Sequence, residues 1–222
     1  MQNRTHAVMA QRSEPADSLD DFPTPPWATR ALFRHVLGDL VRPEQTCLEP
    51  ACGRGDMSRV LEHHFEFVQS SDVADYGYGD IRDFLNQPYG DSQFDWIVTN
   101  PPFRRAEQFV STALNAARFG VAIICRTVFL ESVGRYNRLF RDSPPAIFAQ
   151  FVERVPMVKA RLDPTATTAT GYCWLVWDKT AVRRKPELKW IPPSRKELER
   201  PDDYSGYPRL VSKLTRTQVL GL

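Results

Sequence analysis

The 222-residue sequence predicts an α/β fold: a doubly wound, mostly parallel sheet whose last strand runs antiparallel. Three observations carry this expectation. Short apolar runs alternate with segments of helical spacing, the pattern of a parallel sheet covered on both faces. The first apolar run enters a glycine-containing turn, Ala51-Cys52-Gly53-Arg54-Gly55, that opens a helix. The last two runs, Phe148 to Val155 and Gly171 to Trp177, have no helical segment between them and therefore pair antiparallel.

The elements follow in order. From Pro26 to Leu40, Trp27, Ala31, Leu32, Val36 and Leu37 share one helical face, and Thr24-Pro25-Pro26 is a start signal because proline fits the first turn. Thr46 to Pro50 reads as a buried strand, Asp56 to His64 as a helix, and Phe67 to Ser70 as a strand ending at Asp72. Phe94 to Thr99 is a strand ending at Asn100, Ala106 to Arg118 a helix, Val121 to Cys125 a strand and Ser132 to Phe140 a helix. Residues 1–21 are polar and of mixed charge, which predicts disorder. Residues 22–178 form the domain. Residues 179–222, rich in proline and charge, are expected as an extended basic arm with Arg183, Arg184 and Lys185 clustered.

Composition narrows the function classes. No apolar run approaches the roughly 18 residues that span a membrane, and the amino terminus lacks the apolar core of a signal peptide. A cytoplasmic location is expected, without a membrane partner. Cys47, Cys52, Cys125 and Cys173 form no CxxC pair, and His6, His35, His63 and His64 show no metal spacing, so free thiols and no metal site are expected. A net charge of +2 permits nucleic-acid binding without arguing for it.

Leu48-Glu49-Pro50-Ala51-Cys52-Gly53-Arg54-Gly55 brings backbone close to a ligand at the carboxyl edge of the sheet. It is not a phosphate loop: position 58 is serine, where GxGxxG needs glycine, and GxxxxGK[ST] is absent. Glu49, just before the turn, suits a cationic ligand better than a pyrophosphate. Asp72 ends the second strand, where a carboxylate either accepts ribose hydroxyls or caps a turn. Asp80 and Asp83 compete for a third polar role. Asp83 alone is followed by an aromatic, Phe84, which could cover an adenine.

Asn100-Pro101-Pro102-Phe103 lies just past a buried strand, at the same edge. Prolines stiffen that backbone and free its carbonyls from local pairing. The Asn100 side-chain oxygen and the Pro101 carbonyl can then accept from one NH2 group, with Phe103 stacking on the ring that carries it. An aniline-like amine is a poor nucleophile because its lone pair is delocalised. Two acceptors oppose that delocalisation and hold the nitrogen in place, so positioning and electrostatics do most of the work.

Glu-Pro-Ala-Cys-Gly-x-Gly followed by Asn-Pro-Pro-Phe resembles the S-adenosylmethionine-dependent amino-methyltransferases of DNA, over roughly residues 22 to 177. The same core occurs in RNA base methyltransferases and in glutamine N5-methyltransferases of release factors. Pro-Thr-Pro-Pro-Trp-Ala-Thr-Arg, Gly-Arg-Tyr-Asn-Arg-Leu-Phe and Trp-Leu-Val-Trp look like small phage- or prophage-encoded methyltransferases. The resemblance implies a class I, Rossmann-like methyltransferase fold with a seven-stranded sheet, and S-adenosyl-L-methionine as cofactor. It implies a cofactor site of Phe22, Thr24, Glu49, Ala51, Gly53, Gly55, Asp72, Asp83 and Phe84, and a catalytic motif of Asn100, Pro101, Pro102 and Phe103. Cytosine N4 enzymes usually carry serine in place of asparagine, so Asn100 favours adenine N6, in DNA first and RNA second. The protein glutamine enzymes usually carry tyrosine where Phe103 stands, and a non-enzymatic nucleic-acid-binding accessory protein has no use for the intact motif. With about 45 residues between the motifs there is no room for a recognition domain, so low or short sequence specificity is expected. Arg104, Arg105, Lys159 and Arg161 are the basic residues expected to meet the polyanion. Monomer and homodimer both remain open.

Overall fold

The computed structural model describes residues 20–90, 92–180 and 185–207. Its elements run α1 (Pro26–Leu32), β1 (Thr46–Glu49), α2 (Ser58–Leu61), β2 (Phe67–Asp72), β3 (Asp80–Ile81), β4 (Phe94–Thr99), α3 (Ala106–Ala116), β5 (Ala117–Arg126), α4 (Val133–Arg135), β6 (Ile147–Phe151), β7 (Tyr172–Asp178), β8 (Glu187–Ile191) and α5 (Arg195–Leu198). The strands form one eight-stranded sheet in the order β3-β2-β1-β4-β5-β7-β6-β8. Only β7 runs against the others: it is antiparallel to both β5 and β6, whereas the remaining pairs are parallel.

Period-two alternation across the central strands builds two cores. On β4, β5 and β7, Trp96, Val98, Ala122, Ile124, Trp174 and Val176 face one layer, where Trp27, Ala28, Ala31 and Leu32 of α1 cover them. Ile97, Val121, Ile123, Cys173 and Leu175 face the other, covered by Phe109, Val110 and Ala113 of α3. Both faces are buried, which is why the strands read as continuous apolar runs. Trp174 Nε1 donates to the Ala28 carbonyl at 3.2 Å and Trp96 Nε1 to Gln45 Oε1 at 3.1 Å, whereas Nε1 of the equally buried Trp27 has no hydrogen-bond partner among the described residues. The four cysteines are free and buried.

The structure departs from expectation in three places. The sheet has eight strands rather than seven: Asp80–Ile81, not read as a strand in the sequence, pairs with β2, and Glu187–Ile191 of the expected arm pairs in parallel with β6, so the antiparallel strand β7 is not the last. Strand β8 carries Glu187 and Lys189, is flanked by Pro186 and Pro192, and leaves Leu188 and Trp190 exposed. Charges and flanking prolines are what an edge strand tolerates, and they hid it in the sequence. The first helix is α-helical only to Leu32, then winds as a π turn over Phe33–Leu37 and a 3₁₀ turn over Gly38–Leu40. The expected helix from 56 to 64 contracts to Ser58–Leu61 between turns. Residues 1–19 of the amino-terminal segment, Arg183 and Arg184 of the basic cluster, and residues 208–222 of the expected arm lie outside the described residues. No helix among the described residues is long and apolar enough to cross a membrane.

Gly120 on β5 packs directly under the Trp96 ring, which occupies the space a Cβ would take. Gly120→Ala is expected to lower the unfolding free energy by about 1–3 kcal/mol, the cost of overpacking a filled core. Urea denaturation should show a lower midpoint with an unchanged slope.

Candidate active site

Strand order reverses at β1, with β2 on one side and β4 on the other. Chains leaving neighbouring strands in opposite directions open a crevice at their carboxyl ends. The cleft found there is open to solvent. Phe22, Thr24, Glu49, Ala51, Gly53, Asp72, Asn100 and Pro102 all line it, brought together from four separate segments of the chain.

The glycine turn lines the cleft through Ala51, Cys52, Gly53 and Arg54, while the expected Gly55 lies outside the lining. Gly53 has φ +51°, and Gly55, at φ +79°, lies so close to the Tyr78 ring that a Cβ would sit 2.6 Å from it. The Gly53 N–H donates to Asp72 Oδ2 at 3.0 Å and the Ala74 N–H to Oδ1 at 3.1 Å. These bonds fix the carboxylate at the end of β2, and each oxygen keeps a lone pair for a ligand.

The cleft is strongly acidic. Glu49 is 2% exposed, and its Oε2 accepts a hydrogen bond from the Ser58 hydroxyl, which itself receives one from Ser70 at 2.7 Å. Burial drives the Glu49 carboxyl well above its ordinary range, and Asp56 and Asp72 add repulsion. Burial likewise raises Asp56 and Asp72. Arg54 is the one basic side chain among the described lining residues, and Asp21 engages it at 3.0 and 3.1 Å. Such a site favours a cation, whose arrival would return the carboxyls to their charged forms. Burial first, then Glu49 and Asp72, push the Cys52 thiol up to about 12, so the thiol stays protonated at neutral pH and offers no nucleophile.

On the facing side, Asn100 Nδ2 donates to the Phe22 carbonyl at 2.9 Å and approaches Met157 Sδ at 3.7 Å. That orients the amide and leaves Oδ1 buried with no hydrogen-bond partner. The Thr24 hydroxyl, also at the cleft, is orphaned in the same way. The Pro102 carbonyl closes a turn by accepting from Arg105 N–H at 2.9 Å, whereas no hydrogen bond to the Pro101 carbonyl is found among the described residues. Phe103 stands beside the cleft rather than in its lining. Phe22 packs against it at 5.3 Å between ring centroids, and the exposed Arg126 guanidinium lies over it at 4.3 Å.

Other expected residues do not converge. Phe84 is 1% exposed and packs in the core between Tyr89 and Phe109, at 5.1 and 5.0 Å. Asp83 caps the short turn that follows, accepting from the Leu85 N–H at 3.0 Å and the Asn86 amide at 2.6 Å. Val73 and Tyr76, which the sequence did not single out, line the cleft instead, together with Asp21, Arg54, Asp56 and Met57. Arg54 and Asp56 sit in or beside the glycine motif, which marks them in the sequence; Met157 carries no such signal. Arg104, Arg105 and Lys159 are exposed, and Arg161 lies 3.5 Å from Asp163. The segment after β6 reaches the cleft: the Ala160 N–H donates to the Asp21 carbonyl at 2.8 Å.

No protein-family model matches this chain, and no curated protein matches it in sequence. Solved structures do resemble it. A modification subunit assigned to a type I restriction enzyme of Vibrio vulnificus YJ016 superposes with a TM-score of 0.58 at 16% identity, over 81% of this chain and 49% of its own. A methyltransferase subunit of a type I restriction-modification system from Streptococcus thermophilus gives 0.55 at 12%, over 83% and 50%. A protein assigned as an RNA methyltransferase from Pyrococcus horikoshii gives 0.53 at 16%, over 78% and 91%. The chain thus spans about half the length of the restriction-system subunits. The fold is the class I, Rossmann-like fold of methyltransferases, extended by one strand.

The raised Glu49 carboxyl has a pH signature. An acid whose pKa is higher folded than unfolded binds its proton more tightly in the folded chain. Its stabilising contribution is therefore complete below the ordinary 4.5 and is lost as pH rises toward the folded value. Glu49→Gln removes that loss. Ligand-free Glu49→Gln protein is expected to match the native protein near about pH 4 and to exceed it increasingly toward about pH 7. Urea titrations across that range check this; a constant difference would contradict it.

Proposed function

We propose that this chain is an S-adenosylmethionine-dependent methyltransferase acting on an exocyclic amino group of a nucleic-acid base, with adenine N6 in DNA as the target and low or short sequence specificity. The orphaned Asn100 Oδ1 carries this reading: a buried acceptor, oriented by the Phe22 carbonyl, at the mouth of an acidic cleft. Bound there, S-adenosylmethionine supplies a methyl group activated by its positive sulfur. The cleft suits that cofactor's charge through Glu49, Asp56 and Asp72, and Asp72 suits its ribose hydroxyls. The methyltransferase fold supports the same class.

The chain's own residues do the rest. Asn100 Oδ1 and the Pro101 carbonyl accept the two N–H bonds of the amine, drawing its lone pair out of ring conjugation and toward the methyl donor. Phe103 offers a face to the ring once Arg126 swings aside. In duplex DNA the base must first leave the stack, at a cost of a few kcal/mol, which favours unpaired or distorted sites. An RNA base is the second reading, favoured by the likeness to the protein assigned as an RNA methyltransferase, of which this chain covers 91%.

Incubation with labelled cofactor and DNA, RNA or release factor, followed by mass spectrometry of the nucleosides and peptides, tests the proposal. N6-methyladenine in DNA is expected; glutamine methylation alone would overturn it. Asn100→Ala should keep cofactor affinity within about twofold yet slow methylation by about 10²–10³, the loss of one oxyanion-type hydrogen bond.

The loop from Lys159 to Gly171 leaves β6 on the catalytic edge and returns into β7, which starts there. Its threonines and basic side chains suit phosphates. Lys159→Ala with Arg161→Ala is expected to weaken nucleic-acid binding and flatten its dependence on salt, with cofactor affinity unchanged. Equal salt slopes for native and variant protein would remove the loop from the interface.

A further inference from the structure

The segment after β8 packs against the back of the cleft. Arg30, on α1, grips Asp203 through both guanidinium arms at 2.9 and 2.7 Å and donates to the Leu198 carbonyl at 2.7 Å. The Asp203 side chain is only 3% exposed, so this ion pair is a buried anchor. It holds the turn Pro201–Tyr204 in place, and three residues on Tyr207 turns inward. The Tyr207 hydroxyl donates to Asp56 Oδ2. Asp56 is buried and lines the cleft beside Glu49 and Met57, and its Oδ1 accepts no hydrogen bond among the described residues.

We infer that this carboxyl-terminal segment completes the cofactor site: Tyr207 fixes the Asp56 carboxylate so that its free oxygen receives the ammonium of the cofactor's amino-acid end. The inference rests on the S-adenosylmethionine reading above. Asp56 is then a binding residue and Tyr207 a positioning residue acting through it.

The chemistry of the surroundings supports the assignment. Asp56 is a buried carboxylate that accepts from a neutral phenol and forms no ion pair among the described residues, and burial outweighs the pull of Arg59 and Arg54 on it. A bound ammonium supplies a counter-charge. Arg54, two residues earlier in the same turn, also lines the cleft. Its guanidinium lies 5.1 Å from the Tyr76 ring centroid and 5.8 Å from that of Tyr207. An acid and a base side by side match the zwitterion of an amino acid. If Tyr207 served only to anchor the segment, its partner would not need to be a carboxylate facing the cleft, because Arg30 and Asp203 already provide the anchor.

Two ligands separate this role from a purely structural one. S-adenosylhomocysteine carries the amino-acid end; 5′-methylthioadenosine keeps the nucleoside and thioether but lacks it. Calorimetry with native, Tyr207→Phe and Asp56→Asn proteins is expected to show S-adenosylhomocysteine binding weakened by about three- to tenfold in Tyr207→Phe and by about tenfold or more in Asp56→Asn. Methylthioadenosine affinity should stay within about twofold of native in both, which also certifies that the variants fold. In turnover, Tyr207→Phe should raise KM for the cofactor and leave kcat near native. Unchanged S-adenosylhomocysteine binding, or equal weakening of both ligands, overturns the inference while leaving the methyltransferase reading intact. Failure of the native protein to bind either ligand overturns both.

Discussion

A parallel sheet buried on both faces leaves polar side chains nowhere to go except the ends of its strands. Leu48, Ile97, Val98 and Val121 through Ile124 are fully buried, and an unpaired polar group among them would cost on the order of 1–3 kcal/mol. Because β1, β2 and β4 run the same way, their last residues or the next ones along all emerge on one edge. Glu49 ends β1, Asp72 ends β2 and Asn100 follows β4. The site is thus a geometric consequence of strand direction: one chemical group per strand, gathered where the strand order reverses.

What gathers there is mutually repulsive. Glu49, Asp56 and Asp72 are crowded and partly desolvated, and each is held above its ordinary pKa. The hydrogen bonds that oppose this, from Ser58, Tyr207 and the Gly53 and Ala74 N–H groups, fix the carboxyls in position without neutralising them. A protein that keeps such a cluster gives up some stability in the ligand-free state, as sites built to bind or react commonly do. The Asn100 amide follows the same logic on the other wall: its donor is committed to the Phe22 carbonyl and its acceptor is left over.

The reversed strand β7 carries a second consequence. Paired with both β5 and β6, it brings the connection from β6 back across the carboxyl edge of the sheet, where Met157 meets Asn100 and the Ala160 N–H meets the Asp21 carbonyl. Beyond β6 the sheet continues into β8, and the chain then turns back toward α1 and the glycine turn. The amino-terminal residues before α1 and the carboxyl-terminal segment therefore bracket the same cleft from two sides.

Much of this was legible in the sequence because it is encoded locally. Alternation of apolar runs with helical spacing sets the layers, and the position of Glu49, Asp72 or Asn100 relative to the end of a strand sets the edge on which it emerges. Adjacency in the chain does this work, so a short window of sequence suffices. The facing of Phe84 is different. It follows a carboxylate as a base-stacking ring would, yet it turns into the core between Tyr89 and Phe109, because the α3 layer has an apolar space that an aromatic ring fills. The β8 pairing and the docking of Tyr207 on Asp56 depend on partners far apart in sequence, joined by buried area and by one ion pair between α1 and Asp203. The sequence by itself determined the strand–turn–helix grammar and the residues at the strand ends. Only the tertiary structure decided which aromatic faced the cleft and which distant segment closed it, since packing between remote segments leaves no periodic trace in either one.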